Sequence, residues 1–165
     1  MTFLELLIVI ALIGIIAAFA VPRLLRARMT ANETSAIATL RAISTAEFVF
    51  SRSCGNGSYA VSLPVLGMSP PGTTAAFLSP DLTVSATPQK SGYTYALEAG
   101  AGAGDGMADC NGNPTYTAFY ASAVPLTLNI SGRRSFAMNT NRAIWEVFAA
   151  AAPTEPFGAP AVPIQ

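Results

Sequence analysis

Histidine is absent from this 165-residue chain. Its absence removes the commonest general base, the commonest transition-metal ligand and every Ser-His or Cys-His nucleophile pair. No enzyme and no cofactor are expected. Charge is scarce as well: 11% of residues are charged, nine basic against nine acidic, with a net of zero. That balance provides no broad basic surface for nucleic acid or for an anionic membrane. There are only two cysteines, and of the 13 glycines and 12 prolines all but Gly14 and Pro22 lie after residue 54. The opening 22 residues carry one charge, Glu5. The chain therefore divides into two parts of different chemistry.

From Leu6 to Pro22 the run LLIVIALIGIIAAFAVP has no charge, and with Met1 to Leu4 it is long enough to cross a hydrocarbon core of about 30 Å. The basic start expected of a secretory signal is missing. The run leads instead through Val21-Pro22 into RLLRARMTANETSAIATLRAISTAEFVFSR. One helix to Arg52 would be roughly 78 Å long, too long for a domain of this size to bury. Met29, Ala36, Leu40, Ile43 and Phe50 share one face of its second half, with Thr34, Arg41, Thr45 and Arg52 on the other. The first half is apolar all round. Glu5 stands out there, because a carboxylate in an apolar helix is costly unless it finds a partner or reaches the headgroup region. The obvious partner is an α-amine, from Met1 of its own or a neighbouring chain.

The opening MTFLELLIVIALIGIIAAFAVPRLL resembles the mature N-terminus of the type IV pilins and the related type II secretion pseudopilins. Thr2, Glu5, Gly14 and Pro22 stand where that family places them, over about 25 residues, with Met1 where the family usually has Phe. The resemblance implies a prepilin whose leader is cut by a dedicated peptidase, with Met1 then carrying a methylated amine. The subunit would wait in the inner membrane and be drawn by assembly machinery into an extracellular homopolymer, a pilus of the kind used in adhesion or motility. Glu5 would neutralise the N-terminal amine of an adjacent subunit. Gly14 and Pro22 weaken the helix in any case, and in the family the stretch between them is a melted hinge in the filament. Arg23, Arg26 and Arg28 would line the zone between stalks and heads, paired with acids such as Glu33 or Glu47.

The expected fold class is α+β, a long N-terminal hydrophobic helix packed on an antiparallel β-sheet head. Residues 1–28 form the stalk, 29–52 the amphipathic half, 53–91 a long variable surface loop, 92–148 a β-meander and 149–165 a proline-rich arm outside the sheet. Strand signals fall at 93–97, 116–124, 135–138 and 143–148, with a turn at Asn139-Thr140-Asn141. In an exported protein Cys54 and Cys110 read as a disulfide. Asp109, Asn111 and Asn113, with Asp105 nearby, repeat the first spacings of a calcium loop, but Pro114 and Tyr120 replace its glycine and closing acid. Asn56, Asn129 and Asn32 open glycosylation tripeptides, and the loop 69–88 is rich in sites for O-linked sugar. The expected function is a structural pilus subunit. The alternatives are a secretion pseudopilin, or a membrane-anchored monomeric binding module whose head recognises a ligand through Tyr93, Tyr95, Tyr116 and Tyr120.

Overall fold

A computed structural model describes residues 2–164. One helix, α1 (Phe3–Ser53), accounts for 51 residues, a rod of roughly 77 Å. Thr2 caps it: its side chain accepts from the Glu5 N–H, and the Glu5 carboxylate accepts from the Thr2 N–H, the reciprocal pair that satisfies two otherwise orphaned donors. The helix ends at Cys54, where Asn56 (φ 51°) and Gly57 (φ 87°) turn the chain through the left-handed region. Pro22 lies inside α1 without ending it, and the segment from Gly14 to Pro22 is helical in the single chain.

Only the second half of α1 is covered. Glu33, Ala36, Leu40, Ile43, Glu47 and Phe50 are buried at steps of three and four residues, the spacing that keeps one helical face on a neighbouring layer. That layer is an antiparallel sheet of six strands ordered β2 (Gln89–Lys90), β3 (Tyr93–Ala99), β5 (Phe119–Pro125), β6 (Ser135–Asn139), β7 (Ile144–Val147) and β8 (Val162–Pro163). Alternation turns Tyr93, Tyr95, Leu97, Phe119, Ala121, Ala123, Phe136 and Met138 inward. The small Ala121 and Ala123 lie on the central strand. Gly132 is also set by packing, because any Cβ there would collide with the Tyr93 hydroxyl.

Several expectations are corrected. The segment 53–91 is not a structureless surface loop. It contains β1 (Tyr59–Ala60), α2 (Leu63–Leu66) and α3 (Pro80–Thr83), and it buries Leu63, Val65, Leu66, Leu78 and Leu82 in the common core. Its short apolar anchors are spaced too irregularly to announce themselves by period. The strand expected at 116–124 breaks at Thr117-Ala118, so that β4 (Thr115–Tyr116) pairs with β1 in a separate two-stranded ribbon. The C-terminal arm is not outside the sheet. It stacks Phe157 on Trp145 at 5.5 Å and adds β8 to the edge of β7, where prolines are tolerated.

Glu33 and Glu47 do not serve the stalk arginines. Glu33 accepts from the Arg133 N–H at 2.8 Å and pairs with Arg134 at 2.7 Å, and Arg134 also holds Glu146 at 2.6 Å. Glu47 is buried and accepts from the Ala60 N–H at 3.0 Å. The four tyrosines do not form a ligand surface either: Tyr93 and Tyr95 are fully buried, while Tyr120 donates to the Pro153 carbonyl at 2.6 Å beneath the arm.

Candidate assembly site

The stalk is an apolar helix whose side chains have nothing in their own chain to pack on. Fifteen large apolar side chains from Phe3 to Leu25 are exposed. Soluble monomers rarely expose contiguous apolar patches larger than a few hundred Å². Covering such side chains is worth about 1.5–3 kcal/mol each, so a stalk left in water gives up tens of kcal/mol. The helix is long and apolar enough to cross a membrane, near the N-terminus and with none of its most apolar stretch buried.

Within this surface two positions differ in chemistry. Glu5 is exposed and holds the Thr2 N–H at 3.3 Å. Met1, whose amine is its expected partner between chains, lies outside the described residues. At Gly14 a Cβ would meet nothing within 4 Å, so no contact inside the chain requires glycine there. The T-x-x-E spacing of Thr2 and Glu5 is itself a sequence signal for the capping box, and it makes Thr2 a partner of Glu5 within the chain that needs no positive charge.

The head end of the helix is fixed covalently. Cys54 and Cys110 form a disulfide with a Cα–Cα distance of 4.7 Å, and the Cys110 N–H donates to the Cys54 carbonyl at 2.8 Å. Beside it, Asp109 is buried and its carboxylate is engaged within the loop, accepting from the Asn111 and Asn113 N–H groups at 2.9 and 2.7 Å and from the Asn113 side chain at 3.0 Å. The residues that repeat the first spacings of a calcium loop therefore form a self-satisfied turn at Asp109, Asn111 and Asn113, and Asp105 is exposed. Among the described residues no group of three or more His, Cys, Asp or Glu is placed to hold a metal. Asn56 and Asn129 are exposed, both with positive φ, whereas the Asn32 amide donates to the Ser131 carbonyl at 2.9 Å.

Burial sets the one strongly shifted acid of the head. Removal from water pushes the Glu47 carboxyl up to about 8, against the lowering effect of the Ala60 N–H. Its second oxygen, like the Ser44 hydroxyl, has no hydrogen-bond partner in the protein.

The layout is a long apolar helix on an antiparallel sheet, consistent with a pilin-like fold. Comparisons with protein-family models, with curated proteins and with solved structures found no significant match.

Proposed function

We propose that the chain is a structural subunit that polymerises through its N-terminal helix into an extracellular, type IV pilus-like filament. The observation that carries this reading is the unshared stalk: a continuous apolar helix with an acid one turn from its start and no cover within its own chain. A lipid bilayer covers it in the waiting subunit, and identical helices cover it in the filament. A surface that buries itself against a shifted copy of the same surface makes a heterologous, non-closing contact and so an open helical polymer. Apolar burial is non-directional. Glu5 supplies the register by penalising any stagger that leaves it without the neighbouring Met1 amine. A peptidase that frees that amine and inner-membrane machinery that lifts the subunit are the partners this role requires.

The test is electron cryo-microscopy of material sheared from cells that make the wild type or Glu5→Ala. Thin filaments with bundled central helices in the first, and none in the second, are expected. Retention of both proteins as membrane-bound monomers would overturn the reading in favour of an anchored head.

A further inference from the structure

The zero net charge of the chain conceals a local excess at the base of the head, the end nearest the stalk. There the β5–β6 turn meets α1: the Asn32 amide donates to the Ser131 carbonyl at 2.9 Å and the Arg133 N–H to Glu33 at 2.8 Å. Several charges at this end satisfy one another. Glu33 and Glu146 both hold Arg134, and Lys90, beside the β2–β3 turn, pairs with Asp81 at 2.8 Å. Arg23, Arg26, Arg28 and Arg133 are exposed and in no ion pair among the described residues. The other acids of the head lie elsewhere. Glu47 is in the core, and Glu98, Asp105, Asp109 and Glu155 lie toward the disulfide end, where Arg52 and Arg142 accompany them.

Arg26 and Arg133 flank an open cleft of about 730 Å³ between α1 and the turn, with Met29 and Phe148 in its wall. Glu33 lines it too, but its two oxygens are engaged by the Arg133 N–H and by Arg134. The free charge facing the cleft is therefore positive. Its surroundings are apolar: Phe148 is 68% exposed, and Ile130, on the same turn as Arg133, is 73% exposed. Cations set beside bare apolar side chains suit the boundary between hydrocarbon and water. The height agrees. The charge-free run ends at Pro22, and Arg26 follows about 6 Å further along the axis, within a headgroup layer about 5–8 Å deep on each face of a bilayer. With the stalk in a membrane, the cleft opens at the level of the lipid phosphates.

We propose that the base cleft binds the headgroup of an anionic phospholipid in the bilayer that covers the stalk of the waiting subunit. The phosphate lies between Arg26 and Arg133, and the glycerol and acyl ends run along Met29 and Phe148. Guanidinium groups take phosphate oxygens through paired, charge-assisted hydrogen bonds. A headgroup of net negative charge is the occupant that matches two cations with no carboxylate left to answer them. The lipid holds the head at a fixed height over the membrane. This inference rests on the membrane stage of the reading above and is independent of polymerisation.

The test uses the full chain reconstituted into phosphatidylcholine vesicles that carry a trace of dansyl-labelled phosphatidylglycerol or dansyl-labelled phosphatidylcholine. Energy transfer from Trp145, the only tryptophan and three residues before Phe148, reads which lipid sits at the head. The wild type is expected to favour the phosphatidylglycerol label about fivefold, the effect of roughly one arginine at a membrane surface. Unlabelled phosphatidylglycerol is expected to displace it, and excess inorganic phosphate to leave it in place. Arg26→Gln/Arg133→Gln keeps the Arg133 N–H on Glu33 and is expected to bring the preference within about twofold of parity. Arg23→Gln/Arg28→Gln removes the same charge from positions that do not line the cleft and is expected to keep a preference of at least about threefold. Disulfide closure on non-reducing gels is expected to be equal throughout. An unchanged preference in Arg26→Gln/Arg133→Gln, or no preference in the wild type, overturns the site. Equal losses in the two pairs also overturn it, in favour of a diffuse belt of arginines, and displacement by inorganic phosphate overturns lipid as the occupant. A wild type that does not float with the vesicles removes the membrane stage itself, a result distinct from all the others.

Discussion

The two halves of α1 are built from similar residues and have opposite fates. Leu12 and Ile13 are 55% and 59% exposed, whereas Leu40 and Ile43 are fully buried. The acids differ in the same way: Glu5 is exposed at a helix cap, while Glu33 and Glu47 are buried beneath a sheet. Hydropathy alone does not determine what covers a helix. The second half has its cover in the same chain, supplied by β1, β5, β6 and α2. The first half is under the same thermodynamic pressure and has no partner in its own chain, so its cover must come from outside the chain, from lipid or from other helices. A chain of this kind is stable in its head and incomplete in its stalk.

The largest expected effect breaks the head and spares the stalk. Replacing both cysteines by serine opens a closure of 56 residues and is expected to cost about 4 kcal/mol in the entropic model. Unfolding of the full chain in detergent micelles, followed by Trp145 fluorescence, reads the loss, while far-ultraviolet circular dichroism is expected to retain the stalk signal. Next comes the direct contrast between halves. Leu40→Ala leaves a core void and is expected to cost about 3 kcal/mol of head stability, whereas Leu12→Ala, with no intrachain cover to lose, stays within about 0.5 kcal/mol. Equal losses in the two variants would mean that the halves are not energetically separate.

The pattern of α1 was legible because its signals are local and periodic. The inward stripe of Ala36, Leu40, Ile43 and Phe50 can be read off a helical wheel, and the Tyr93–Leu97 alternation marks β3. The failures share a different cause. Leu63, Leu66 and Leu82 enter the core from two single-turn helices and Leu78 from the loop just before the second, pieces too short to show a period. Arg134 and its two carboxylates are brought together across 101 and 12 residues, a pairing no local spacing encodes. Glu33 and Glu47 lie on the same helical stripe as the apolar residues. The expectation that they pair with the stalk arginines followed from charge alone, when their position at steps of three and four from Ala36, Ile43 and Phe50 already placed them inward. Val162 and Pro163 join a sheet edge where an open ladder, not propensity, selects the partner.

Glu47 sharpens the comparison through pH. Its carboxyl is raised from 4.5 to about 8 by burial, so the folded state binds a proton that the unfolded chain has released across that window. Stability is therefore full below pH 4.5 and declines as pH rises toward 8. Glu47→Gln keeps an acceptor for the Ala60 N–H and removes the titration. It is expected to flatten the decline and to be about 2 kcal/mol more stable than the wild type at pH 9. Thermal unfolding from pH 5 to pH 9 checks this, and parallel curves for the two proteins would show that Glu47 keeps its charge in the fold.

The smallest effect bears on the stalk alone. Gly14→Ala improves intrinsic helix propensity by about 1 kcal/mol, and the added methyl meets nothing within 4 Å in the single chain. In micelles the variant is expected to slow amide exchange around residue 14 and to leave head unfolding unchanged. Filament yield then becomes diagnostic. A fall in yield cannot come from a clash within the subunit, where the space is open, nor from weaker helix formation, which the substitution strengthens. It must come from a neighbouring helix that approaches Gly14 too closely for a Cβ, or from a need for this stretch to unwind on assembly. Ser carries the same Cβ as Ala plus a hydroxyl but has a lower helix propensity, so Gly14→Ser separates the two: a steric demand penalises Ser at least as much as Ala, whereas a demand for melting penalises Ala more. Normal filaments from both variants would make Gly14 an ordinary stalk position and leave Pro22 as the remaining helix-weakening residue of the stalk.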